Sequence, residues 1–458
     1  MTSAEALRPL VERWLPTQRW YAGKGRDASV QLAALAQLPG TGATIWTARV
    51  GYGDGSSEVY QLPLVLHGEP VEGLEHVLLG SIETEDGPRW IYDALHDKSV
   101  TAPWLTGIRD QLSTDVLSFT RFADPEAIPV DESSLVLTGE QSNTSLMYGD
   151  VAILKVFRRL QRGVNPDLEI LEALGRRGAL HVPALLGAVT ARVEGGTCAL
   201  AMLQEYLTSA TDGWELAKTS VRDLMAEADL HAEEAGGDFA GEAHRLGVAV
   251  AEVHAELAAA FGVASADPGE LSWRADAMHA RLDYATDVVV QLRELTGGLH
   301  AAYDALAEAG PELELQRIHG DLHLGQALRT VRRWVIIDFE GEPMGELEVR
   351  RRPDSPLRDI AGMLRSFEYA GHHQVIEAGY QPQLAYRAGE WTVRNCEAFL
   401  DGYAEAAGHD PRAHPAGLRA FEADKAVYEA VYEARNRPAW LPIPLASLTR
   451  LAHPEVAR

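Results

Sequence analysis

The sequence predicts an α+β protein with two lobes and an additional β-rich segment in front of them. Its 458 residues exceed the size of one hydrophobic core, which rarely grows beyond about 250–300 residues. Up to residue 207, alternating apolar segments are separated by glycine-rich turns, a pattern typical of antiparallel strands. From Thr211 onward, apolar residues recur at spacings of three and four, which predicts a mostly helical second half.

The first half is expected to contain three segments and the second half one. Residues 1–90 are predicted to form a β-rich cap, and residues 91–130 an intermediate segment that joins the cap to the next lobe. Residues 131–207 are predicted to form a strand-rich lobe. Residues 208–458 are predicted to form a helical lobe.

Composition excludes several classes of function. The formal net charge of −26 argues against a nucleic-acid partner, because the chain has no excess of cations to displace counterions. An anionic substrate would have to be met locally, by a metal ion and a few placed cations. The chain has no run of about 18 apolar residues, so no membrane-spanning helix is expected.

The cysteine content and the N-terminal segment indicate the cellular compartment. Cys198 and Cys396 are the only cysteines, so no disulfide framework or cysteine-rich metal site is expected. The segment MTSAEALRPLVERW carries acids early and has no continuous apolar core, which does not fit a signal peptide. We therefore expect a cytoplasmic protein.

One stretch, residues 316–343, contains the candidate catalytic groups. It reads QRIHGDLHLGQALRTVRRWVIIDFEGEP and places polar groups on two loops that flank short strands. These groups are Asp321, Gln326 and Asp338. Two carboxylates and an amide at this spacing suit phosphoryl transfer from a metal-bound nucleotide, where the protein supplies position and charge. Asp321 would accept the proton of the attacking hydroxyl, while Asp338 and Gln326 would hold Mg²⁺ against the phosphates.

The motifs HGDLHLGQ and DFE in this stretch resemble the catalytic and metal loops of the protein-kinase and aminoglycoside-phosphotransferase superfamily. The resemblance implies a bilobal protein-kinase-like fold that uses ATP and Mg²⁺. Residues 131–207 would be its nucleotide-binding lobe and hinge, and residues 208–458 its helical lobe with the catalytic loop, the metal loop and the acceptor site. Two residues depart from the family pattern. Gln326 replaces an asparagine, and its amide oxygen can still reach a metal ion. Glu340 replaces a glycine and adds a hard oxygen ligand.

Lys155 lies in the apolar segment VAILKVF at 151–157, which resembles the lysine strand of that family. An unpaired buried charge is very costly, so this lysine needs an acidic partner. Glu169 and Glu172 are the candidates, on a helix that begins near Pro166, and we prefer Glu169. The alternative is that Lys155 extends to solvent from an edge strand.

Further nucleotide contacts are expected from a polar loop and from the hinge. The loop precedes the lysine strand and resembles the family's phosphate loop. It has a single early glycine, so its side chains must help the backbone to bind phosphate. These side chains are Ser142, Asn143, Thr144 and Ser145. The resemblance also makes three hinge residues candidate neighbours of adenine, namely Gln204, Glu205 and Tyr206.

A helix predicted over residues 420–437 offers a candidate acceptor wall. Its small apolar residues form one stripe, and aromatic and cationic residues occupy the opposite side. The candidate substrate contacts on that side are Lys425, Tyr428, Tyr432 and Arg435. Pyranose rings present C–H faces and hydroxyl edges, which aromatic rings and charged donors match. The alternative is that this side packs under another helix or under the cap.

Three further residues of the helical half have expected positions. His323, two residues after Asp321, is a candidate for lining the acceptor pocket. His254 lies beside an apolar helical stripe and is expected to be a hydrogen-bonded core residue. Asp359 either anchors the catalytic loop, as the resemblance implies, or is a solvated acid at a helix start.

The segments WLPTQRWYAGK and YEARNRPAWLPIPLASL are similar to segments of the actinobacterial maltokinases. This resemblance implies ATP-dependent phosphorylation of maltose at its anomeric hydroxyl, which gives maltose 1-phosphate for α-glucan synthesis. A trehalose synthase or a maltosyltransferase is then a candidate partner, and a monomer is expected. The aromatic residues Trp14, Trp20 and Tyr21 are expected to be core residues of the cap rather than ligands.

Two alternatives stay open. A glucosamine kinase, or another sugar or aminoglycoside kinase of the same superfamily, would bind a cationic sugar. It would need a carboxylate cluster, for which Asp424, Glu429 and Glu433 are available. The other alternative is a nucleotide-binding pseudokinase that regulates a glucan-synthesising enzyme. The altered metal-loop residues favour that interpretation, while the intact catalytic and metal aspartates and the strand lysine argue against it.

Overall fold

The computed structural model describes residues 3–137, 139, 142–226, 231–234, 237–309, 313–342, 345–379 and 381–453. The chain divides into two compact units. Unit 1 comprises Met1–Gly175 and Pro183–Thr208, and unit 2 comprises Arg176–Val182 and Ser209–Arg458. Unit 1 contains the large sheets and unit 2 is mostly helical, so the predicted two-lobed α+β fold is confirmed.

The first sheet of unit 1 lies in the predicted cap. Its described strands are β1 (Ala28–Gln37), β2 (Thr44–Tyr52), β3 (Ser57–His67), β4 (Leu78–Thr84) and β5 (Gly87–Asp93). They form an antiparallel sheet in the order β1-β2-β3-β5-β4. Helix α1 (Ala4–Trp14) packs on it through one apolar face. Trp20 and Tyr21 are buried, which confirms them as core residues, and Trp14 is half-buried.

The second sheet of unit 1 contains the predicted lysine strand. Its described strands are β6 (Leu117–Arg121), β7 (Ser134–Val136), β8 (Thr144–Tyr148), β9 (Ala152–Val156), β10 (Leu185–Val193) and β11 (Gly196–Glu205). Their order is β6-β10-β11-β9-β8-β7, so β9 is an interior strand. Helix α2 (Lys98–Arg109) packs near β6, and helix α3 (Pro166–Arg177) follows β9 along the chain. Asn165 Oδ1 accepts from Leu168 N at 3.0 Å, which is the expected cap of α3.

The two sheets share one buried core. Ile45 of the first sheet and Leu154 of the second belong to the same apolar cluster. Gln61 of β3 is fully buried, and its Nε2 donates to Phe157 O at 2.8 Å and to Leu200 O at 2.7 Å. The cap sheet is therefore hydrogen-bonded to the strands that surround Lys155. The division of this unit into cap, intermediate segment and lobe stays a prediction.

Arg158, two residues beyond β9, is a buried cation that joins three parts of unit 1. Its guanidinium pairs with Asp93 at the end of β5, and both side chains are buried. Its Nε donates to Thr144 Oγ1 at 2.7 Å. The guanidinium carbon also lies 4.7 Å from the centroid of the Trp20 ring. One side chain thus connects the aromatic cap segment, the cap sheet and the strand that follows the polar loop.

Unit 2 is built from helices and short strands. The described helices are α4 (Gly213–Ala226), α5 (Ala240–Phe261), α6 (Pro268–Val288), α7 (Thr296–Ala307), α8 (Leu347–Arg350), α9 (Pro356–Glu377), α10 (Pro382–Ala407), α11 (Pro415–Asn436) and α12 (Pro442–Ala452). Strands β12 (Thr211–Asp212), β15 (Ala327–Arg329) and β16 (Trp334–Ile336) form one sheet, and β13 (Val263–Ser265) pairs with β14 (Glu314–Gln316). Of the helices in the described ranges, none combines the length and apolar character that a membrane span requires.

Helices α5 and α10 pack backbone against backbone. A Cβ atom on Gly247 would overlap with Phe399 O, and one on Gly402 would overlap with His244 O. Both positions therefore require glycine for close approach rather than for a special backbone angle. Because the two backbones are so close at these points, polar side chains further along α5 and α10 can also contact each other.

Arg158→Met should strongly destabilise the protein, because it leaves the buried carboxylate of Asp93 without its cation. We expect a loss of about 3–5 kcal/mol in the free energy of unfolding, measured by chemical denaturation. The matched control is Arg109→Met, since the pair of Arg109 with Asp110 is exposed and its loss should leave the free energy of unfolding nearly unchanged. Arg158→Met combined with Asp93→Leu should recover part of the loss. Equal denaturation midpoints for the two single variants would contradict this account.

Candidate active site

The catalytic turn follows β14 and ends at Asp321. The peptide N–H of His319 donates to Asp359 Oδ2 at 2.7 Å, and that of Gly320 donates to Asp359 Oδ1 at 2.8 Å. Gly320 has a φ of +84°, a conformation that favours glycine. One carboxylate thus fixes two consecutive peptide groups, and with them the direction in which Asp321 leaves the turn.

Asp359 is itself held in place by residues of two other helices. It lies on α9 and is 1% exposed. His254 Nε2 of α5 lies 3.1 Å from Asp359 Oδ2, and His254 Nδ1 lies 2.9 Å from Tyr403 OH of α10. Burial acts to raise the pKa of Asp359, but the hydrogen bond and charge of His254 outweigh burial, so the pKa is lowered. The expected core role of His254 is confirmed, and Asp359 anchors the turn rather than being a solvated acid.

Lys425 of α11 lies directly against Asp321. Its Nζ is 3.0 Å from Asp321 Oδ1 and 4.0 Å from Glu342 Oε1. Burial acts to lower the pKa of Lys425, but the negative charges of Asp321 and Glu342 outweigh burial and raise it. A persistent cation therefore lies beside the candidate base. The contact of Lys425 with substrate stays a prediction.

The predicted metal ligands occupy neighbouring loops. Asp338 comes two residues after β16 with a φ of +67°, and Gln326 Nε2 donates to Asp338 Oδ2 at 3.0 Å. Carboxylate oxygens of Asp338 and Glu340 lie within 4.8 Å of each other. Carboxylate and amide oxygens are the ligands that Mg²⁺ takes. The chemistry of these three side chains therefore fits a divalent cation.

His323 lies between the catalytic and metal residues. It caps the short 3-10 helix Leu324–Gln326, where its Nδ1 accepts from Gly325 N at 3.1 Å. Burial lowers the pKa of His323, while the charges of Asp321 and Asp338 act in the opposite direction. His319 Nε2 lies 2.9 Å from Ile337 O, so the turn that carries Asp321 and the loop that carries Asp338 lie side by side. His323 does not line the cavity described below, so its observed role is to hold the loop.

In unit 1, Lys155 lies on β9 in register with Ser145 of β8 and Met202 of β11. Because β9 is an interior strand, the alternative that Lys155 extends from a sheet edge is wrong. Its Nζ donates to Asp167 Oδ2 at 3.2 Å, and both side chains are buried. Asp167 is a partner that the sequence analysis missed, and the expected pairing with Glu169 stays a prediction.

The predicted phosphate loop lies partly outside the described residues, which exclude positions 138, 140 and 141. Asn143, Thr144 and Ser145 are buried. Asn143 Nδ2 donates to Ser142 Oγ at 3.2 Å, and Thr144 Oγ1 already accepts from Arg158. Phosphate binding by these four side chains stays a prediction.

The predicted hinge begins at the end of β11, with Gln204 in register with β9. The peptide N–H of Glu205 donates to Ala184 O, and that of Tyr206 donates to Val151 O, each at 2.9 Å. These two N–H groups are therefore already hydrogen-bonded, and a bound adenine would have to form its hydrogen bonds with other peptide groups of the hinge. The contact of these three residues with adenine stays a prediction.

A cavity of about 210 Å³ opens beside Asp321 within unit 2. One wall is a face of α6, with Trp273, Ala277, Met278 and Arg281 at helical spacing. Another wall is a face of α11, with Phe421, Asp424, Lys425 and Tyr428. The remaining walls come from the catalytic turn and from residues between 341 and 362. This cavity is the space in which an acceptor could approach the candidate base.

Only part of the predicted acceptor face of α11 lines this cavity. Lys425 and Tyr428 line the cavity, whereas Tyr432 and Arg435 do not. Tyr432 lies one helical turn beyond Tyr428, about 6 Å along the axis. Arg435 instead donates to Tyr284 OH of α6. Only the first half of the predicted face therefore borders the catalytic turn.

Each of the three carboxylates considered for a cationic sugar already faces an arginine. The pairs are Asp424 with Arg281 at 2.7 Å, Glu429 with Arg365 at 2.7 Å and Glu433 with Arg437 at 2.6 Å. Burial raises the pKa of Glu429, against the opposing charges of Arg365 and Lys425. Each of these carboxylates is already paired, so they do not form an open cluster.

The site contains a candidate base on an anchored turn, a cation beside that base, and oxygen atoms on the neighbouring loop that could bind a metal ion. This arrangement suits phosphoryl transfer to a hydroxyl group. With the two-unit α+β fold, it defines a protein-kinase-like phosphotransferase. Residues 135–421 match the phosphotransferase enzyme family, and residues 14–97 match the maltokinase N-terminal cap domain. The chain therefore belongs to the phosphotransferase enzyme family, as a maltokinase-like member with the domains of a sugar kinase.

Known relatives carry the name glucosamine kinase. The glucosamine kinase of Mycolicibacterium smegmatis is 33% identical over 327 residues, which cover 69% of this chain and 78% of that protein. The glucosamine kinase of Streptacidiphilus jiangxiensis is 28% identical over 403 residues, which cover 81% of this chain and 88% of that protein. A solved glucosamine kinase in complex with glucosamine, ADP and inorganic phosphate has a TM-score of 0.71 at 23% identity, covering 98% of this chain and 99% of that chain. This likeness supports the fold.

Asp359→Asn should release the catalytic turn, because an amide offers one acceptor where two peptide N–H groups need two. We expect a loss of about 3 kcal/mol in the free energy of unfolding and a fall in kcat of at least about 10-fold. The control is Asp401→Asn, an exposed aspartate of α10, which should leave both quantities nearly unchanged.

The pH dependence of this difference gives a second test. The pKa of Asp359 is lowered from its ordinary value of 3.8, so its stabilisation is complete above about pH 4 and is lost as the pH falls through the lower folded value. The stability difference between the protein and Asp359→Asn should therefore shrink as the pH falls below about 4. A difference that stayed unchanged through the acid range would contradict the assigned ionisation.

Proposed function

We propose that the protein transfers a phosphoryl group from ATP to the anomeric hydroxyl of maltose, producing maltose 1-phosphate for α-glucan synthesis. The maltokinase cap at residues 14–97 supports maltose as acceptor. ADP in the solved glucosamine kinase supports ATP as donor. We propose a neutral sugar as acceptor because of the balance of charged side chains in the cavity beside Asp321.

Every acidic residue that lines the cavity faces a cation or peptide N–H groups. The contacts are Asp321 with Lys425, Asp424 with Arg281, Glu342 with Arg358, Asp354 with Arg274, and Asp359 with His254 and the turn. Against these five carboxylates the lining contains six cations, namely Arg274, Arg281, Arg350, Arg352, Arg358 and Lys425. An ammonium group would lose hydration there without gaining an unopposed carboxylate. A neutral sugar meets no such cost.

The reacting end of the acceptor lies at the catalytic turn. Asp321 accepts a hydrogen bond from the sugar hydroxyl and takes its proton as the new oxygen–phosphorus bond forms. Lys425, which stays positively charged beside Asp321, stabilises negative charge that develops at the transferred group. Tyr428 offers an aromatic face to the sugar ring. The anchored turn keeps these groups in one geometry.

The metal loop is the proposed metal site. Asp338, Gln326 and Glu340 would hold Mg²⁺, which when bound would neutralise charge on the donor phosphates. Within the strand-rich unit, Lys155, which pairs with Asp167, is the proposed phosphate contact, and the polar loop and the hinge are proposed further contacts of ATP. The protein would act in the cytoplasm as a monomer, beside a trehalose synthase or a maltosyltransferase.

The test is an acceptor panel with ATP and Mg²⁺. Maltose should give a kcat/KM at least about 10-fold above those for glucose, glucosamine and kanamycin, and the product should have lost its reducing end. Asp321→Asn should lower kcat by about 10²–10⁴-fold. Asp86→Asn, at an exposed turn of the cap, should leave kcat unchanged.

The second candidate is a glucosamine kinase, which the names of the relatives favour. Glucosamine giving the highest kcat/KM would establish it and would contradict the argument from charge balance. Tight binding of ATP with Mg²⁺, combined with turnover of none of the sugars, would instead support a pseudokinase.

A further inference from the structure

We propose that the cavity beside Asp321 contains a second sugar subsite, built on Trp273, that holds the non-reacting ring of a disaccharide acceptor. The inference rests on the proposed sugar-kinase function and specifies how the protein would distinguish a disaccharide from a monosaccharide. It assigns Trp273 as a specificity residue, which neither the sequence motifs nor the metal loop indicate.

A series of contacts locates the reactive end of the cavity on α6. Lys425 Nζ lies 3.0 Å from the candidate base Asp321. Asp424, the residue before Lys425 on α11, pairs with Arg281 of α6 at 2.7 Å. Arg281 therefore marks the part of α6 that lies level with the candidate base.

Trp273 lies at the other end of the same wall. It precedes Arg281 by eight positions on α6, and both residues line the cavity. At a rise of 1.5 Å per residue, the two side chains leave the helix about 12 Å apart. That length exceeds a single pyranose ring and suits two linked rings. A sugar whose reducing end reached Asp321 would extend its other ring toward Trp273.

The chemistry at this end suits a sugar ring. Trp273 is 51% exposed, so a large indole face is available for the C–H face of a pyranose. The guanidinium carbons of Arg352 and Arg274 lie over this ring, 5.6 Å and 5.9 Å from its centroid. Arg352 is exposed and adds a charged donor for hydroxyl groups at this end of the cavity.

Hydrogen bonds of the neighbouring residue Arg274 hold the helix around Trp273 in place. Arg274 is buried, and its Nε donates to Asp354 Oδ1 at 2.8 Å. Its Nη2 donates to Pro353 O at 2.9 Å. These bonds join the first turns of α6 to the segment that precedes α9. A fixed aromatic platform binds a ring at a lower entropic cost than a mobile one.

The experiment compares Trp273→Ala and Trp273→Phe with the unchanged protein, using maltose and glucose as acceptors. Trp273→Ala should raise KM for maltose about 10-fold while leaving KM for ATP and the kcat/KM for glucose within about 2-fold. Trp273→Phe should fall between the two, because it retains a smaller aromatic face. Tyr386→Ala, at an exposed aromatic residue of α10 that does not line this cavity, should change neither sugar.

The outcomes separate this inference from the proposed function. If the unchanged protein preferred maltose but Trp273→Ala lost activity equally with maltose and glucose, or kept its KM for maltose, the subsite would be wrong and the function would stand. If the unchanged protein did not phosphorylate maltose, the proposed function would fail first and the subsite with it. Because Trp273 is half exposed, its variants should fold, and an unchanged melting temperature checks that they do.

Discussion

The geometry of the catalytic turn depends on one buried carboxylate. Asp359 accepts two consecutive peptide N–H groups, and each bond is strong because the acceptor is charged and shielded from water. A buried charge is tolerated only when it is fully satisfied, and His254 and Tyr403 complete that requirement. Four elements of unit 2 thereby converge on a single point, and the direction of Asp321 follows from it. The candidate base is on a loop, but its orientation is set by helices.

The balance of charge in the cavity beside Asp321 is opposite in sign to that of the whole chain. The chain carries a formal net charge of −26, whereas the cavity lining contains slightly more cations than carboxylates. Phosphate groups would be repelled by most of the protein and accepted only where arginine, lysine and a bound metal ion neutralise them. Ion pairs such as Asp424 with Arg281 also hold α6 and α11 together. The same contacts thus shape the cavity and balance its charge.

The sequence predicted the motifs of the site better than it predicted their partners. Motif spacing predicted that the candidate base and the candidate metal ligands lie on neighbouring loops, and helical periodicity identified α5 and the core role of His254. Asp167 was missed because its contact with Lys155 depends on how α3 is rotated relative to β9, which spacing alone does not determine. The cavity wall on α6 was missed because this helix divides its surface between the core and the cavity, so no single apolar stripe marks it. Helices α2 and α12 contain prolines near their starts or within them, which obscured their periodicity.

The glycine contacts between α5 and α10 have a consequence for sequence variation. Gly247 and Gly402 let the two backbones touch, and the same two helices carry His254 and Tyr403. A methyl group added at Gly247 or Gly402 would push the His254 imidazole away from the Tyr403 hydroxyl. The support of His254 for Asp359, and through it for the turn that carries Asp321, would then be weakened. Substitutions that look like remote packing defects could therefore emerge in genetic screens as turnover defects, with no altered residue in the pocket itself.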